Sequence, residues 1–195
     1  MKKETLSLLF NPFKKIAGFK ALCWGFIGLI ASMVLSIVTN FHYQGFLRFG
    51  GALKSAWWFF AAEHLAVWLV PATLFYIGGL IFSGSKIRII DIFGTTLFAQ
   101  IPFVIMNLFV LPPVVQRAMN IDLNMSLQNI VTDPDYISGT RIFMVSIIFL
   151  ILTLVWMFNA LRVSCNLKGG KLAIVYIVGI LLGDFICKLI IKQLY

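Results

Sequence analysis

The sequence predicts an all-α integral membrane protein in which five transmembrane helices form a single bundle. Of its 195 residues, 61% are hydrophobic and only 12% are charged, whereas a soluble domain usually carries about 25% charged residues. Five apolar stretches each come close to the roughly 20 helical residues that cross a hydrocarbon core. They cover residues 21–38, 61–82, 92–112, 142–162 and 172–191, and short connections join them into one domain over residues 1–195.

The basic residues predict how the chain is oriented in the membrane. If the N-terminus is cytoplasmic, ten of the 16 Lys and Arg residues fall on the cytoplasmic side and six on the other side. Because cytoplasmic loops carry the excess of Lys and Arg, we expect a cytoplasmic N-terminus and a C-terminus that is outside or lumenal. Orientation and anionic headgroups then account for the net charge of +9, so a nucleic acid partner is not expected.

Residues 1–20 are expected to lie in the membrane interface ahead of the first span. Asn11 followed by Pro12 is typical of a helix start, because Asn caps free amides and Pro suits the first helical position. Lys14 and Lys15 then lie at the level of the lipid headgroups, which they are expected to contact.

The first span carries a stripe of small residues at intervals of three or four. This spacing puts them on one helix face, and small residues let helices approach closely in lipid. We therefore predict a helix–helix contact face and no ligand site. The stripe includes Ala21, Gly25, Gly28, Ser32 and Ser36.

The first loop, residues 39–60, is rich in aromatic residues and is interpreted as part of the aromatic belt, with a short interfacial helix before the second span. His42, Glu63 and His64 are its titratable groups. Glu63 next to His64 could form a proton site, but the favoured interpretation is an ordinary pair in contact with water, because neighbours in sequence do not face each other on a helix.

The second and third spans contain Pro71 and Pro102, which are expected to kink or locally open their helices and to free backbone carbonyls. Broken helices build substrate sites in transporters, although Pro is common in membrane helices. Lys86 and Arg88 lie in the tight loop between these spans and are predicted to contact headgroups. Further on, Asp133 and Pro134 are expected to begin the helix of the fourth span.

The fifth span contains Gly179 and Gly183, a GxxxG pattern that predicts helix packing. Asp184 follows directly and is the acidic residue deepest in any predicted span. A carboxylate there costs roughly 3 kcal/mol on insertion scales, so Asp184 is a candidate functional residue. The alternative is a local ion pair with Lys188, four residues further along the helix.

Several of these segments resemble the Yip (Ypt-interacting protein) domain family. The similar segments are Asn11-Pro12-Phe13, the basic loop 84–88, residues 93–102, and Trp156 with the loop 161–171. The resemblance covers essentially the whole chain and implies a five-span membrane protein with a cytoplasmic N-terminus. Eukaryotic members act in trafficking at the endoplasmic reticulum and Golgi, where a long N-terminal region contacts Rab-type GTPases. This sequence shows neither that region nor the acidic Asp-Leu-Tyr-Gly-Pro motif, so it is more similar to the short prokaryotic members.

Together these observations favour a non-enzymatic membrane scaffold or adaptor whose partners are membrane lipid and other membrane proteins or a second copy of itself. The expected location is a prokaryotic cytoplasmic (inner) membrane, or the endoplasmic reticulum or Golgi in a eukaryote. The alternative is a small transporter or ion-conducting protein that uses the two proline-kinked helices and a polar site. Catalytic constellations, metal-ligand spacings and cofactor motifs are not found in the sequence, so no cofactor is expected. The candidate polar site comprises Asp184, Lys188, Gln100 and Asn107.

Overall fold

The structure, a computed structural model, describes residues 7–51, 55–119 and 127–194. Five helices in these ranges are long and apolar enough to cross a membrane, with mean hydropathies of 1.8 to 2.5. The third of these spans is broken in the middle into two shorter helices. In chain order, the elements are α1 Gly18–Thr39, β1 Phe41–Tyr43, β2 Phe49–Gly51, α2 Trp57–Phe82, α3 Ile89–Phe98, α4 Pro102–Leu108, α5 Pro113–Met119, α6 Leu127–Thr132, α7 Pro134–Cys165 and α8 Gly169–Lys192.

The helices pack in two groups, and α2 contacts helices of both. Helix α1 packs against α3 and α4, α7 packs against α3, α4 and α5, and α2 packs against α8. The small-residue face of α1 is buried. A Cβ atom built at Gly25 would lie 2.7 Å from Leu97 Cγ, and one at Gly28 would lie 2.8 Å from Ile101 Cγ1. Helix α1 can therefore approach the broken span this closely only because these positions have no side chain.

The two prolines have different effects on their helices. Pro102 begins α4 after a break at residues 99–101, whereas α2 continues as a helix through Pro71. Since Pro71 has no N–H, the carbonyl of Val67, one turn earlier, lacks its helical donor. The side chain of Gln100, in the break of the third span, donates to that carbonyl at 3.0 Å. A side chain from the break in the third span thus supplies the hydrogen-bond donor that α2 lacks at Pro71.

The first loop differs most from its prediction. The short helix expected at the interface does not form among the described residues. Instead, β1 and β2 make an antiparallel hairpin that inserts between the helices, and we call residues 41–51 the inserted hairpin. Phe41, Tyr43 and Phe46 are at most 1% exposed. The hairpin can be buried because its strands satisfy part of each other's backbone, and backbone groups in a membrane need such partners.

The chain turns into this hairpin at Asn40, which ends α1 in the left-handed conformation with φ of 52°. Asn tolerates that conformation better than most residues. The hairpin closes with a hydrogen bond from Gln44 N to Arg48 O at 2.9 Å. Trp57 and Trp58, which follow the hairpin, remain 67% and 44% exposed, as expected for aromatic residues at a membrane surface.

The N-terminal segment packs onto α7. Trp156 Nε1 donates to Leu9 O at 2.7 Å, and Phe13 is buried against Phe98 and Trp156. The predicted cap is wrong in detail: the side chain of Asn11 makes no cap hydrogen bond to the 3-10 helix Pro12–Lys14, and its Oδ1 has no partner among the described residues. Asn159 and Trp156 instead hold the backbone just before Asn11. Lys14 and Lys15 are exposed, and residues 1–6 of the predicted interfacial segment lie outside the described residues.

The predicted start of the fourth helix is confirmed. Asp133 Oδ1 accepts a hydrogen bond from Tyr136 N at 2.8 Å, and Pro134 is the first residue of α7. This helix therefore begins eight residues before the apolar stretch at 142. Arg117 from α5 and Asp135 form an exposed salt bridge of 2.6 Å beside this start.

Candidate functional site

Glu63 of α2 anchors the inserted hairpin. Its side chain is 0% exposed, and both carboxylate oxygens bind the hairpin. Oε1 lies 2.9 Å from His42 Nδ1, and Oε2 accepts from Tyr43 N at 3.0 Å. A buried carboxylate is stable only when such donors replace water, so the helix and the hairpin depend on each other here.

The ring of His42 is also completely buried, and it is positioned from both sides. Its Nε2 lies 3.3 Å from Asn40 Oδ1, and the ring stacks on Phe60 with centroids 4.3 Å apart. Both ring nitrogens therefore lie within hydrogen-bond distance of a side-chain oxygen. The expectation of a water-exposed pair at Glu63 and His64 is wrong, because the partner of Glu63 is a histidine 21 residues earlier in the chain.

A second set of hydrogen bonds joins the hairpin to α1 and α4 through Asn107. Tyr43 Oη donates to Asn107 Oδ1 at 2.8 Å. The amide nitrogen of Asn107 donates to Ser32 Oγ at 2.9 Å and to Ser36 Oγ at 3.2 Å. The face of α1 that was predicted only to pack thus also carries two serines that bind a buried amide.

The hydrogen bonds of His64 fix the direction of this network. His64 Nδ1 lies 2.8 Å from the carbonyl of Phe60, which can only accept, so Nδ1 carries the proton. Nε2 is then an acceptor, and Ser32 Oγ donates to it at 3.0 Å. From donor to acceptor, the hydrogen bonds therefore run from Tyr43 through Asn107 and Ser32 to His64. Burial raises the pKa of the Tyr43 hydroxyl above its usual value, so this group remains a donor.

A small cavity of about 10 Å³ borders this network. It is lined by His64, Tyr43 and Ser32 together with Gln100 and mainly apolar groups. This volume is near the minimum of about 10–15 Å³ that holds one water molecule. Larger solutes do not fit here without movement of the hairpin.

Asp184 of α8 holds the turn of the inserted hairpin. Its Oδ1 accepts from Leu47 N at 2.8 Å, and its Oδ2 lies 3.6 Å from Arg48 Nε. A Cβ atom at Gly45 would lie 2.7 Å from Asp184 Oδ1, so the turn approaches the carboxylate closely. The predicted local pair with Lys188 is wrong: Lys188 is exposed and makes no ion pair with Asp184 in the part of the chain that the structure describes.

The family of the chain follows from a comparison of its sequence with known families. The family profile described as Yip1 domain matches residues 8–190, which is nearly the whole chain. The chain belongs to the Yip1 domain family. The resemblance predicted from the short motifs is thereby confirmed. Curated proteins and solved structures gave no match.

Within this Yip1 domain, the predicted polar site is divided. Asn107 is part of the His64 network and Gln100 lines its cavity. Asp184 lies at the hairpin turn, and Lys188 faces outward. The prediction missed Tyr43 and did not place Glu63 and His42 in a buried pair. Their signal was a Glu and a His within or beside an apolar span, where titratable groups are rare.

The polar contacts that this Yip1 domain site makes are hydrogen bonds and ion pairs. Among the described residues, no group of three or more His, Cys, Asp or Glu side chains is placed to hold a metal ion. Glu63 and Asp184 come from different helices, and each binds a backbone amide of the inserted hairpin. These two carboxylates therefore clamp one loop between α2 and α8.

Proposed function

We propose that this protein is a non-enzymatic membrane scaffold or adaptor whose partners are other membrane proteins, a second copy of itself and membrane lipid. The observation that carries the proposal is the use of the two carboxylates. Glu63 and Asp184 bind hairpin amides at 3.0 and 2.8 Å. Ionisable groups inside membrane proteins commonly mark transport routes, but here they hold a loop in place. A bundle whose loop is held in place in this way suits a protein that presents surfaces to partners.

A small transporter or ion-conducting protein is the second candidate, and the broken third span favours it. Transporter sites are built at such breaks, and Gln100 lies at this one. The cavity beside Gln100 holds about 10 Å³, so transport requires the inserted hairpin to move. Asp184 must then release its hydrogen bond to Leu47 N in the turn.

Substitution of Asp184 by Asn separates the two functions. Asn keeps an oxygen that can accept from Leu47 N, and the lost ion pair to the half-exposed Arg48 is worth at most about 1 kcal/mol. We therefore expect the fold to remain intact. Proteoliposomes with an entrapped pH dye, under an imposed proton or cation gradient, should show no flux above protein-free vesicles for either wild-type or Asp184→Asn protein.

Asp135→Asn is the matched control, because Asp135 is a paired but exposed carboxylate outside the hairpin site. The scaffold proposal fails if wild-type vesicles show a pH-dependent flux that disappears in Asp184→Asn, persists in Asp135→Asn and leaves the melting temperature unchanged. Energy transfer between differently labelled copies in the same vesicles then reports whether a second copy is a partner.

We also propose that residues 83–88 face the cytoplasm of a prokaryotic cell, with the N-terminus on the same side and the C-terminus outside. The support is the excess of Lys and Arg on that side. On a cysteine-free background, Ser85→Cys, which is exposed, should react with an impermeant maleimide only in inverted vesicles. Reaction in intact cells would reverse the orientation.

A further inference from the structure

An apolar groove runs along the surface between α2 and α8, among exposed aliphatic side chains. It consists of two neighbouring hollows of about 340 and 230 Å³ that both border Leu74. From residue 69 to residue 82 of α2, at about 1.5 Å per residue, its length is about 20 Å. The larger hollow alone lies in the range of about 300–1,000 Å³ that is usual for ligand sites.

The groove exists because side chains are missing or short where the two helices meet. A Cβ atom at Gly78 would lie 2.5 Å from Val175 Cγ1, and one at Gly179 would lie 2.6 Å from Phe75 Cε1. The helices touch along this line, and aliphatic side chains stand on either side of the depression. Its lining is almost entirely apolar, and includes Ile77, Ile81, Ile174, Val178 and Leu182.

One end of the groove carries unpaired positive charge. Ser83 Oγ donates to Cys165 O at 2.6 Å and Asn166 Nδ2 donates to Ser85 Oγ at 3.2 Å, which ties the two loops at this end together. Lys171 lies on the same face of α8 as Ile174, Val178 and Leu182, by their spacing.

Two further lysines, Lys86 and Lys168, lie in the two loops. All three lysines are exposed, and none forms an ion pair within residues 7–51, 55–119 and 127–194. Arg88 differs from them, because Asp91 already pairs with it at 2.7 Å.

We propose that this groove is a binding site for one phospholipid with an anionic headgroup. One of its acyl chains lies between α2 and α8, and its phosphate is bound by Lys171, Lys168 and Lys86. An apolar groove about 20 Å long matches the acyl chain of such a lipid, and the basic end of the groove matches its anionic headgroup. This site specifies the lipid partner named in the proposed function, but a scaffold or a transporter could each hold this lipid, so the site does not depend on which of the two the protein is.

The charges disfavour a second copy of the chain as the occupant. A symmetric dimer through this face would place the same surface against itself. Lys171, Lys168 and Lys86 of the two copies would then gather at one end of the interface, and like charges facing each other oppose association. An anionic lipid removes that repulsion.

Native mass spectrometry of the purified protein measures the affinity for the first bound lipid, with phosphatidylglycerol and phosphatidylcholine of identical acyl chains as probes. The wild-type protein should bind phosphatidylglycerol more tightly. Lys171→Gln and Lys168→Gln should each weaken phosphatidylglycerol binding about fivefold, the effect of one lysine near an anionic surface, and leave phosphatidylcholine binding unchanged. Lys188→Gln, at the opposite end of α8, should change neither.

The groove itself is tested with a matched pair of neighbours. Val178 lines the groove and Ile177 does not, although both are 53% exposed. Val178→Trp should fill the groove and weaken binding of both lipids at least tenfold, whereas Ile177→Trp should have no effect. If Val178→Trp does not fold, Leu182→Trp replaces it, with Leu181→Trp as its control.

Three outcomes would overturn the proposal. Equal affinities of the wild-type protein for the two lipids would remove the headgroup site. Equal losses in Val178→Trp and Ile177→Trp would show that the lipid is part of the general annulus. A dimer that is lost in Val178→Trp while phosphatidylglycerol binding persists would assign the groove to a second copy of the chain.

Discussion

Replacing Glu63 with Ala should lower the free energy of unfolding by about 2–6 kcal/mol, because it leaves two buried polar groups without their acceptor at about 1–3 kcal/mol each. The side chains of His42 and Glu63 are both 0% exposed. The substitution leaves the His42 ring without its carboxylate and Tyr43 N without its acceptor, and neither group can reach water while the hairpin is inserted. We therefore expect the inserted hairpin to leave the bundle before the transmembrane helices separate.

Hydrogen–deuterium exchange of the amides in residues 41–49 measures this release, together with the melting temperature in detergent. Asp135→Ala is the control, because it breaks an ion pair whose partners are 59% and 49% exposed and should cost less than about 1 kcal/mol. Glu63→Gln should be intermediate, since its amide oxygen can still accept from Tyr43 N. Hairpin amides that stay as protected in Glu63→Ala as in the wild type would show that the carboxylate does not anchor the hairpin.

The second large effect is expected at Asn107, whose replacement by Leu should destabilise the protein by several kcal/mol. Asn107 is 0% exposed and binds Tyr43 Oη, Ser32 and Ser36. Each buried polar group left without a partner costs about 1–3 kcal/mol. Ser32 and Ser36 lie on α1, where a serine hydroxyl can turn to a carbonyl of its own helix. The Tyr43 hydroxyl lies on the hairpin and has no such carbonyl, so it is the group left without a partner.

Adding Tyr43→Phe tests this explanation. In the wild-type background, Tyr43→Phe leaves Asn107 Oδ1 unsatisfied and should lower the melting temperature. In the Asn107→Leu background it removes the stranded hydroxyl and should raise the melting temperature, because replacing both partners by apolar groups is nearly neutral. A double-mutant cycle from thermal melts gives the coupling energy. Strictly additive effects would mean that Tyr43 and Asn107 do not act as a pair.

The inserted hairpin changes the meaning of the polar residues that stand out in the sequence. Asp184, Asn107 and Gln100 were grouped as one candidate intramembrane site. In the folded protein each supports a different irregular part of the backbone: the hairpin turn, the first strand of the hairpin through Tyr43, and the carbonyl freed by Pro71. Buried non-helical backbone is stable only where protein groups satisfy its hydrogen bonds, which explains why these polar side chains are directed at the irregular backbone.

The sequence by itself determined the class of the protein, the number of its spans and its family. These properties depend on local composition: an apolar stretch of about 20 residues is a membrane helix almost regardless of its neighbours, and the start of α7 at Asp133 and Pro134 follows from local backbone chemistry. Only the tertiary structure decided that the first loop inserts as a hairpin and which partners its polar groups have. His42 and Glu63 are 21 residues apart in the chain, and Leu47 and Asp184 are 137 apart. An aromatic loop is equally suited to a membrane surface and to a protein interior, and the donors and acceptors that decide between them come from helices distant in sequence.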